Sequence, residues 1–389
     1  MLFASFVSCN KDSQNHNNTY QTSPIESSTD ATLTQTPDTS NLKFRTSFIG
    51  CGDNIIYGTK EAVIHAEPGG RKYNYKPYYK GVWDIIENAD IAFINQETLM
   101  CGDGYPLSYY PRFNSPQELG YDLVDMGFDV VNIANNHMLD KNADGLSKTI
   151  DFWNNMDVLM IGGYKDETDF DNIRIFEKNG LKIAFLSYTY ATNGLSKPAS
   201  SSLKIPYIND DDIIRQTALA KECSDFLMVS VHWGDEGSLT PNNEQKRVAK
   251  LFADCGVDAV IGHHPHVIQP VEWITGKDGN KMLCVYSLGN FMAQQDMDYN
   301  MVGGIISFDI VHSKKTKPYL ENVQYIPTVF HFNGRFTDNN VYRMQDYTPE
   351  LANVHGVRTY FHNKLTFDGL RKYVTDTIDS EFLPEYFHE

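Results

Sequence analysis

Val260-Ile261-Gly262-His263-His264-Pro265-His266-Val267 places three histidines within four residues, in a chain with 12 histidines among 389 residues. The run leading into it, Asp258-Ala259-Val260-Ile261, is short and apolar and reads as a buried strand. Imidazoles gathered at the C-terminal end of a strand suit a metal ion or a phosphate. His264 and His266 stand two apart, so a curved loop can aim both rings at one ion. The plain alternative is a histidine-rich surface loop. A metal site needs its remaining ligands from elsewhere in the chain.

Working outward, the same strand-then-polar-end unit recurs. Phe44–Gly50 reads as a strand running into Cys51-Gly52-Asp53, where the glycines free the chain to turn. Asp53 is placed as a metal ligand or as a turn or helix cap. Val82, Ile85, Ile86 and Ala89 have helical spacing, and the strand Asp90–Ile94 ends in Asn95-Gln96-Glu97. Leu119, Leu123 and Met126 mark a helix closed by Gly127, and the strand Phe128–Ala134 ends in Asn135-Asn136-His137-Met138-Leu139-Asp140. Helices over 145–155, 211–223 and 244–255 alternate with strands over 181–189, 226–231 and 282–286. The second of these strands delivers His232-Trp233-Gly234-Asp235-Glu236, the third Ser287-Leu288-Gly289-Asn290-Phe291, and another strand covers 303–310. This order predicts an open α/β sheet with its site beyond the strands' carboxyl ends. Candidate ligands at several strand ends on one edge are better explained by one site than by separate turns.

The formal charge of −17 argues against a nucleic-acid backbone as partner and against loose adsorption to an anionic membrane. Residues 1–41 divide into a short apolar segment and a tether of Asn, Gln, Ser, Thr, Asp and Pro that cannot bury enough apolar surface to order itself. The arrangement around Ser8-Cys9 resembles the end of a bacterial lipoprotein signal. That resemblance implies export and anchoring at the cell-surface membrane through a lipid on Cys9; an ordinary frayed terminus is the alternative. The other cysteines, at 51, 101, 223, 255 and 284, show no zinc-finger spacing and mostly sit in apolar patterns. A Cys51–Cys101 disulfide is an option, since each ends a candidate strand. No 18-residue apolar run is present, so no spanning helix is predicted. Residues 42–312 form the predicted main domain and 313–389 a C-terminal extension packing on it. Within the extension, 314–317 reads as a solvated hairpin turn, 321–350 as short strands, and 351–389 as one or two helices with an exposed Phe/Glu-rich tail. His331 there reads as a structural histidine.

Mixed His and carboxylate ligands suit zinc, manganese or iron better than magnesium. Asp53, Glu97, Asn136, His232, His264 and His266 can together hold one or two such divalent ions, with Asp53 or Glu97 bridging. Ions so placed activate a water and stabilise the oxygens of a displaced group. His137 is placed to protonate a leaving group, and Asp140 to orient His137. A Gly-rich loop with a following Lys and a Gly-x-Ser-x-Gly elbow are both missing, which argues against a P-loop nucleotide site and a serine hydrolase.

These motifs resemble the bacterial capsule synthesis protein CapA family, also called the poly-gamma-glutamate synthesis or PGA-cap family, itself similar to calcineurin-like metallophosphoesterases. The matching pieces are Gly52-Asp53, Asn95-Gln96-Glu97, Ala134-Asn135-Asn136-His137 with Asp140, His232-Trp233-Gly234 with Glu236, Gly262-His263-His264-Pro265-His266, and Ser287-Leu288-Gly289-Asn290-Phe291. The resemblance implies a metallo-dependent phosphatase-like α/β fold, a layered sandwich of mixed β-sheets flanked by helices. It implies His264 and His266 as ligands, leaving His263 for substrate contact together with Asn95, Asn290 and Glu236. One departure stands out: the phosphoesterase Asp-x-His start is Asp53-Asn54-Ile55 here, so one ligand is missing. The implied role is at the cell surface, in poly-gamma-glutamate or capsule synthesis or anchoring. The expected activity is that of a metal-dependent hydrolase or transferase on a phosphoester or γ-glutamyl polymer, with capsule synthesis or export proteins as partners. The alternatives are a non-catalytic scaffold of a capsule assembly and a γ-glutamyl peptidase.

Overall fold

A computed structural model of the protein describes residues 42–56, 71–335 and 338–388. The predicted leader, Cys9 included, lies outside the described residues. In chain order the principal elements are β1 (Phe44–Asn54), α1 (Trp83–Asn88), β2 (Ile91–Gln96), α2 (Gln117–Asp125), β3 (Val130–Asn132), α3 (Asn142–Asn154) and β4 (Leu159–Ile161). Then come α4 (Glu167–Asp171), β5 (Arg174–Lys178), β6 (Leu181–Thr189), α5 (Asp210–Cys223), β7 (Phe226–His232), α6 (Asn243–Asp254) and β8 (Ala259–His263). The rest are β9 (Ile268–Thr275), β10 (Lys281–Leu288), β11 (Asn290–Met292), β12 (Val302–Ser313), β13 (Thr316–Phe332), β14 (Asn339–Arg343), α7 (Pro349–Val354), α8 (Gly356–Thr359) and α9 (Phe367–Thr377).

The strands form two sheets where the alternating pattern predicts one. The first runs β14-β13-β12-β1-β2-β3-β4, with β11 also paired to β1; the second runs β5-β6-β7-β8-β10-β9. Strands β1 to β4 are parallel, as are β6, β7, β8 and β10, while β12 and β9 join antiparallel. Both central blocks are buried on two faces, as parallel strands with helical crossovers must be. Side chains alternate accordingly. Phe226 and Met228 of β7, and Ala259 and Ile261 of β8, join the core that also holds Phe93 and Ile94 of the first sheet. Leu227, Val229 and Val231 of β7 and Val260 of β8 point the other way, onto a second core with Val248 and Phe252 of α6 and Ile213 of α5. Helices α2 and α3 add Leu119, Leu123, Leu146, Ile150 and Trp153 to the first core. The result is a mixed α/β architecture, two β-sheets flanked by helices.

Helix α6 begins at a capping box, Asn242 with Gln245, which satisfies its first amide groups and fixes where β7's following loop must end. Gly262 lets β8 lie close against β10, since a Cβ there would meet the Tyr286 carbonyl oxygen at 2.0 Å.

The C-terminal part departs from expectation. The predicted short strands over 321–350 include one 17-residue strand, β13, which pairs with β12 along its length. The turn at 314–317 joins these two strands, so sheet hydrogen bonding runs across position 312. The Phe/Glu-rich tail is not exposed as a whole: Phe382 and Leu383 are buried in the main core, because α9 and the chain after it pack on the sheets. Cys51 and Cys101 are not joined in a disulfide. Cys51 is buried inside the core, where burial pushes its thiol well up and it acts as a small apolar side chain. Among the described residues no helix is long and apolar enough to cross a membrane.

Candidate metal centre

Sheet register brings the polar strand ends together. In the first sheet Asp53 pairs with Asn95 and Asn290, and Asn95 with Asn132; in the second, His232 pairs with His263. The two sets face each other because positions two apart on a strand share a face: Met228 and His232, Ile261 and His263, Phe93 and Asn95 all turn toward the space between the sheets.

Asp53 is fully buried and heavily partnered. Asn95 Nδ2 donates to its Oδ1 at 2.8 Å, and the His264 amide donates to its Oδ2 at 3.2 Å. His266 Nδ1 lies 3.1 Å from Oδ2 and His263 Nδ1 lies 3.4 Å from Oδ1. Burial alone would raise this carboxyl, but the hydrogen bonds and charge of His263 and His266 hold it well below the usual carboxylate range. Glu97 is the opposite case. Burial, reinforced by the negative charges of Asp53, Glu236 and Asp140, pushes it well above that range.

Glu97 Oε1 is buried and has no hydrogen-bond donor, yet it sits 3.5 Å from His232 Nε2 and 3.7 Å from His266 Nε2. His264 Nδ1 is likewise buried without a partner, its ring 4.8 Å from that of His232. Burial, then the neighbouring His266, pushes His264 down to about 3, and burial with His264 pushes His232 well down, so both are neutral donors. Burial opposes charging of His266 too, but the hydrogen bond and charge of Asp53 outweigh it and raise that histidine. Unpartnered lone pairs converging out of water are costly unless a cation takes them. Three sets place one ligand atom from each member within 4.8 Å of the others: Glu97 with His232 and His264, Asp53 with Glu97 and His266, and Glu236 with His264 and His266. These clusters can coordinate one or two divalent ions, an arrangement consistent with catalytic activity.

The backbone adds its own sign. His264 and His266 have φ of +100° and +56°, which L-residues with a Cβ rarely adopt. Such strain persists where surrounding structure enforces it, and it clusters at functional sites.

Beside the clusters, His232 Nε2 lies 3.0 Å from Asn136 Oδ1, and His137 Nδ1 lies 2.8 Å from Asp140 Oδ2. The Phe113 amide donates to the same Asp140 oxygen at 2.7 Å, and the Phe113 ring meets the His137 ring edge-on at 4.7 Å. The carboxylate thus fixes the orientation of an imidazole that lines a cavity.

Three of the residues expected to contact substrate, His263, Asn95 and Asn290, are buried. His263 is fully buried and stacked on Phe93, ring centroids 5.7 Å apart. It follows Ile261 by two residues, so it shares that residue's inward face. Asn95 is also buried, donating to Asp53 and Glu97 and accepting from Asn132 Nδ2 at 2.8 Å. Asn290 is buried as well; its Oδ1 lies 3.1 Å from His266 Nδ1, and its amide donates to Gln295 and to the Asn300 carbonyl. All three contact members of the clusters and are not among the residues lining the cavity. Glu236, also expected as a substrate contact, is exposed and within ligand reach of His264 and His266. Ile55, at the position of the missing histidine, is buried and lines the cavity.

Sequence reading missed Asn132, Tyr190 and Asn193. The Tyr190 ring covers His264 at 4.5 Å, and Asn193 accepts from Asn136 Nδ2 at 3.2 Å. Asn132 lies inside the predicted strand Phe128–Ala134 and ends the shorter observed β3; Tyr190 and Asn193 lie past β6 in a stretch with no metal-binding pattern.

The family described as "Bacterial capsule synthesis protein PGA_cap" matches residues 47–295. The chain is 35% identical over 178 residues to the capsule biosynthesis protein CapA of Bacillus anthracis, covering 44% of this chain and 41% of that protein. It is 31% identical over 203 residues to the PGA biosynthesis protein CapA of Bacillus subtilis, covering 50% of this chain and 49% of that one. The match thus spans about half or less of these relatives' length. Among solved structures, a 5'-nucleotidase precursor from Thermus thermophilus aligns with a TM-score of 0.47 at 13% identity, covering 86% of this chain and 59% of that one.

Proposed function

The chain belongs to the bacterial capsule synthesis protein PGA_cap family, and from that premise we propose that it is a metal-dependent hydrolase or transferase of the cell surface, acting on a phosphoester or γ-glutamyl substrate in capsule synthesis. The observation that carries the proposal is Glu97 Oε1, buried, without a donor, and flanked by His232 Nε2 and His266 Nε2. Asp53, Glu97, His232, His264 and His266 would hold the ion, with Glu236 completing a second set and Asn136 adding its amide oxygen. A divalent ion there supplies Lewis acidity and lowers the pKa of bound water.

The chain's own residues do the rest. His137, held by Asp140, faces the cavity and serves as the general acid for the leaving group. Asn95 and Asn290 keep Asp53, Glu97 and His266 in place. Burial of Asp53, Glu97, His232, His264 and His266 strengthens each charge interaction among them. Attachment through a lipid on Cys9 and association with capsule synthesis or export proteins are parts of the same proposal.

The test combines metal content with turnover. Purified protein should carry manganese, zinc or iron stoichiometrically and cleave either p-nitrophenyl phosphate or a γ-linked glutamate oligomer, and His266→Ala should abolish both properties. Metal-free protein with no turnover would instead indicate a scaffold. Release of free glutamate, with the phosphoester left intact, would assign the γ-glutamyl arm.

A further inference from the structure

Two connected lobes open onto the metal centre, and their chemistry is unequal. The smaller, about 280 Å³, is lined by Arg112, Phe113, His137, Asp140 and Asn193. The larger, about 590 Å³, is lined by Tyr110, Gln294, Asp296, Tyr299 and Tyr360. Tyr110, Glu236, His266 and Gln295 line both, so the lobes meet at the ligand clusters. Among the described residues lining either lobe, Arg112 alone is a lysine or arginine.

We propose that Arg112 binds an anionic group of the substrate on the His137 side of the centre, while the larger lobe takes an uncharged, ring- or amide-bearing part of the same molecule. This rests on reading the cleft as the substrate site.

Arg112 is exposed, and no carboxylate among the described residues pairs with its guanidinium. Its backbone is nonetheless tied down. Ser108 and Asn114 exchange backbone hydrogen bonds of 3.1 and 2.8 Å across the loop, and Ser108 Oγ donates to the Arg112 carbonyl at 2.7 Å. The Cys101 amide donates to Asn114 Oδ1 at 2.9 Å. The next residue, Phe113, contacts both His137 and Asp140. The loop that steadies the imidazole therefore also brings Arg112 into the lining of the same lobe. A planar guanidinium grips carboxylate or phosphate through paired donors, and an unpaired one is free to do so.

The larger lobe excludes the same chemistry. Among the described residues its charged lining residues are Glu236 and Asp296, with His266 beside them, and metal binding would neutralise Glu236 but not Asp296. Tyr360 and Phe361, whose rings meet at 5.0 Å, give this lobe an aromatic wall, Tyr110 stands where the lobes join, and Gln294 and Gln295 add amides. A polymer with a carboxylate on every unit would meet a cation in one lobe and repulsion in the other.

The experiment is calorimetric binding to the full chain loaded with Mn²⁺, using wild type, Arg112→Gln and Arg112→Lys. The probes are phenyl phosphate, hippurate (a carboxylate with an amide and a ring) and a long γ-linked glutamate oligomer. Wild type should bind phenyl phosphate or hippurate more tightly than the oligomer, and whichever of the two binds identifies phosphate or carboxylate as the anion. Arg112→Gln should weaken that binding by about 10- to 100-fold, with Arg112→Lys between, and salt should weaken wild type and Arg112→Lys more than Arg112→Gln. Equal binding by wild type and Arg112→Gln overturns the proposal. So does tightest binding of the oligomer, or no binding of either ring-bearing probe. Binding is read without turnover: an Arg112-dependent complex that is never cleaved defeats the hydrolase reading alone, and turnover indifferent to Arg112 defeats this proposal alone.

Discussion

His266 Nδ1 stands 3.1 Å from Asp53 Oδ2 across 213 residues of chain, both side chains buried. The contact joins the end of β1 in the first sheet to the loop that leaves β8 in the second. Asp53 therefore has a structural role even without metal. Asp53→Ala strands His266, the Asn95 amide and the His264 amide, and removing one member of a buried pair costs about 3–5 kcal/mol. Asp53→Asn should cost less, because it keeps the volume and an acceptor oxygen, yet still lose the metal for want of charge. Chemical denaturation and elemental analysis of the two variants check this; equal stability losses would contradict it.

The His137–Asp140 pair should separate catalysis from metal binding. His137→Gln is expected to lower kcat by about 10²- to 10⁴-fold while metal content stays at the wild-type level. Asp140→Asn should lower kcat less and change the pH profile, since it leaves the imidazole present but differently held. Metal loss in His137→Gln would place that histidine among the ligands and remove it from acid catalysis.

Metal affinity should rise with pH. Burial and neighbouring carboxylates raise Glu97, and Asp53 raises His266, so both keep protons at pH values where ordinary carboxylates and imidazoles release them. An incoming ion must displace those protons, so acid competes with it. Titrations with Mn²⁺ across about pH 5 to 8, in buffers of different ionisation enthalpy, should show tighter binding and fewer released protons as pH increases. A flat affinity over that range would be incompatible with these two residues as ligands.

Away from the site, Asp258 should make stability fall with pH. It accepts a hydrogen bond from the Leu227 amide at 2.8 Å, and burial, only partly opposed by that bond, raises it to about 6. A folded-state pKa above the unfolded value means that the native state holds the extra proton. The stabilisation is complete below about pH 4 and is lost as pH climbs through about 6. The stability of wild type relative to Asp258→Asn should therefore drop by about 2–3 kcal/mol between about pH 4 and pH 7. Urea denaturation at both pH values measures it.

Gly262→Ala should be far more damaging than its size suggests. The new Cβ would meet the Tyr286 carbonyl oxygen at 2.0 Å and Trp233 Nε1 at 2.7 Å. Strands β8 and β10 would have to part, at a cost of about 3 kcal/mol or more, and the histidine loop would move with them. Thermal melting, followed by metal content of whatever remains folded, tests both effects.

Much of this molecule was legible one segment at a time. Apolar runs such as Phe226–Val231 and Ala259–Ile261 declare strands because each short stretch must be buried, and the polar residues that follow them mark the strand ends. That local grammar identified Asp53, Glu97, Asn136, His137, His232, His264 and His266 as the residues worth watching. It did not reveal two sheets, because a helix between strands looks the same whether the next strand joins the old sheet or starts another.

Within a motif, the sequence by itself determined residue type and spacing; the tertiary structure decided direction. His263 and His264 are neighbours of the same chemistry, but β8's alternation turns His263 onto Phe93, while a left-handed backbone at His264 swings the next ring toward His232 and Tyr190. Glu236, Tyr190, Asn193 and Arg112 acquire their places only when loops from the two sheets meet over the same cavity. The physical reason is that strand propensity and burial are properties of a few consecutive residues, whereas the convergence of lone pairs and charges depends on register and sheet packing between segments far apart in the chain.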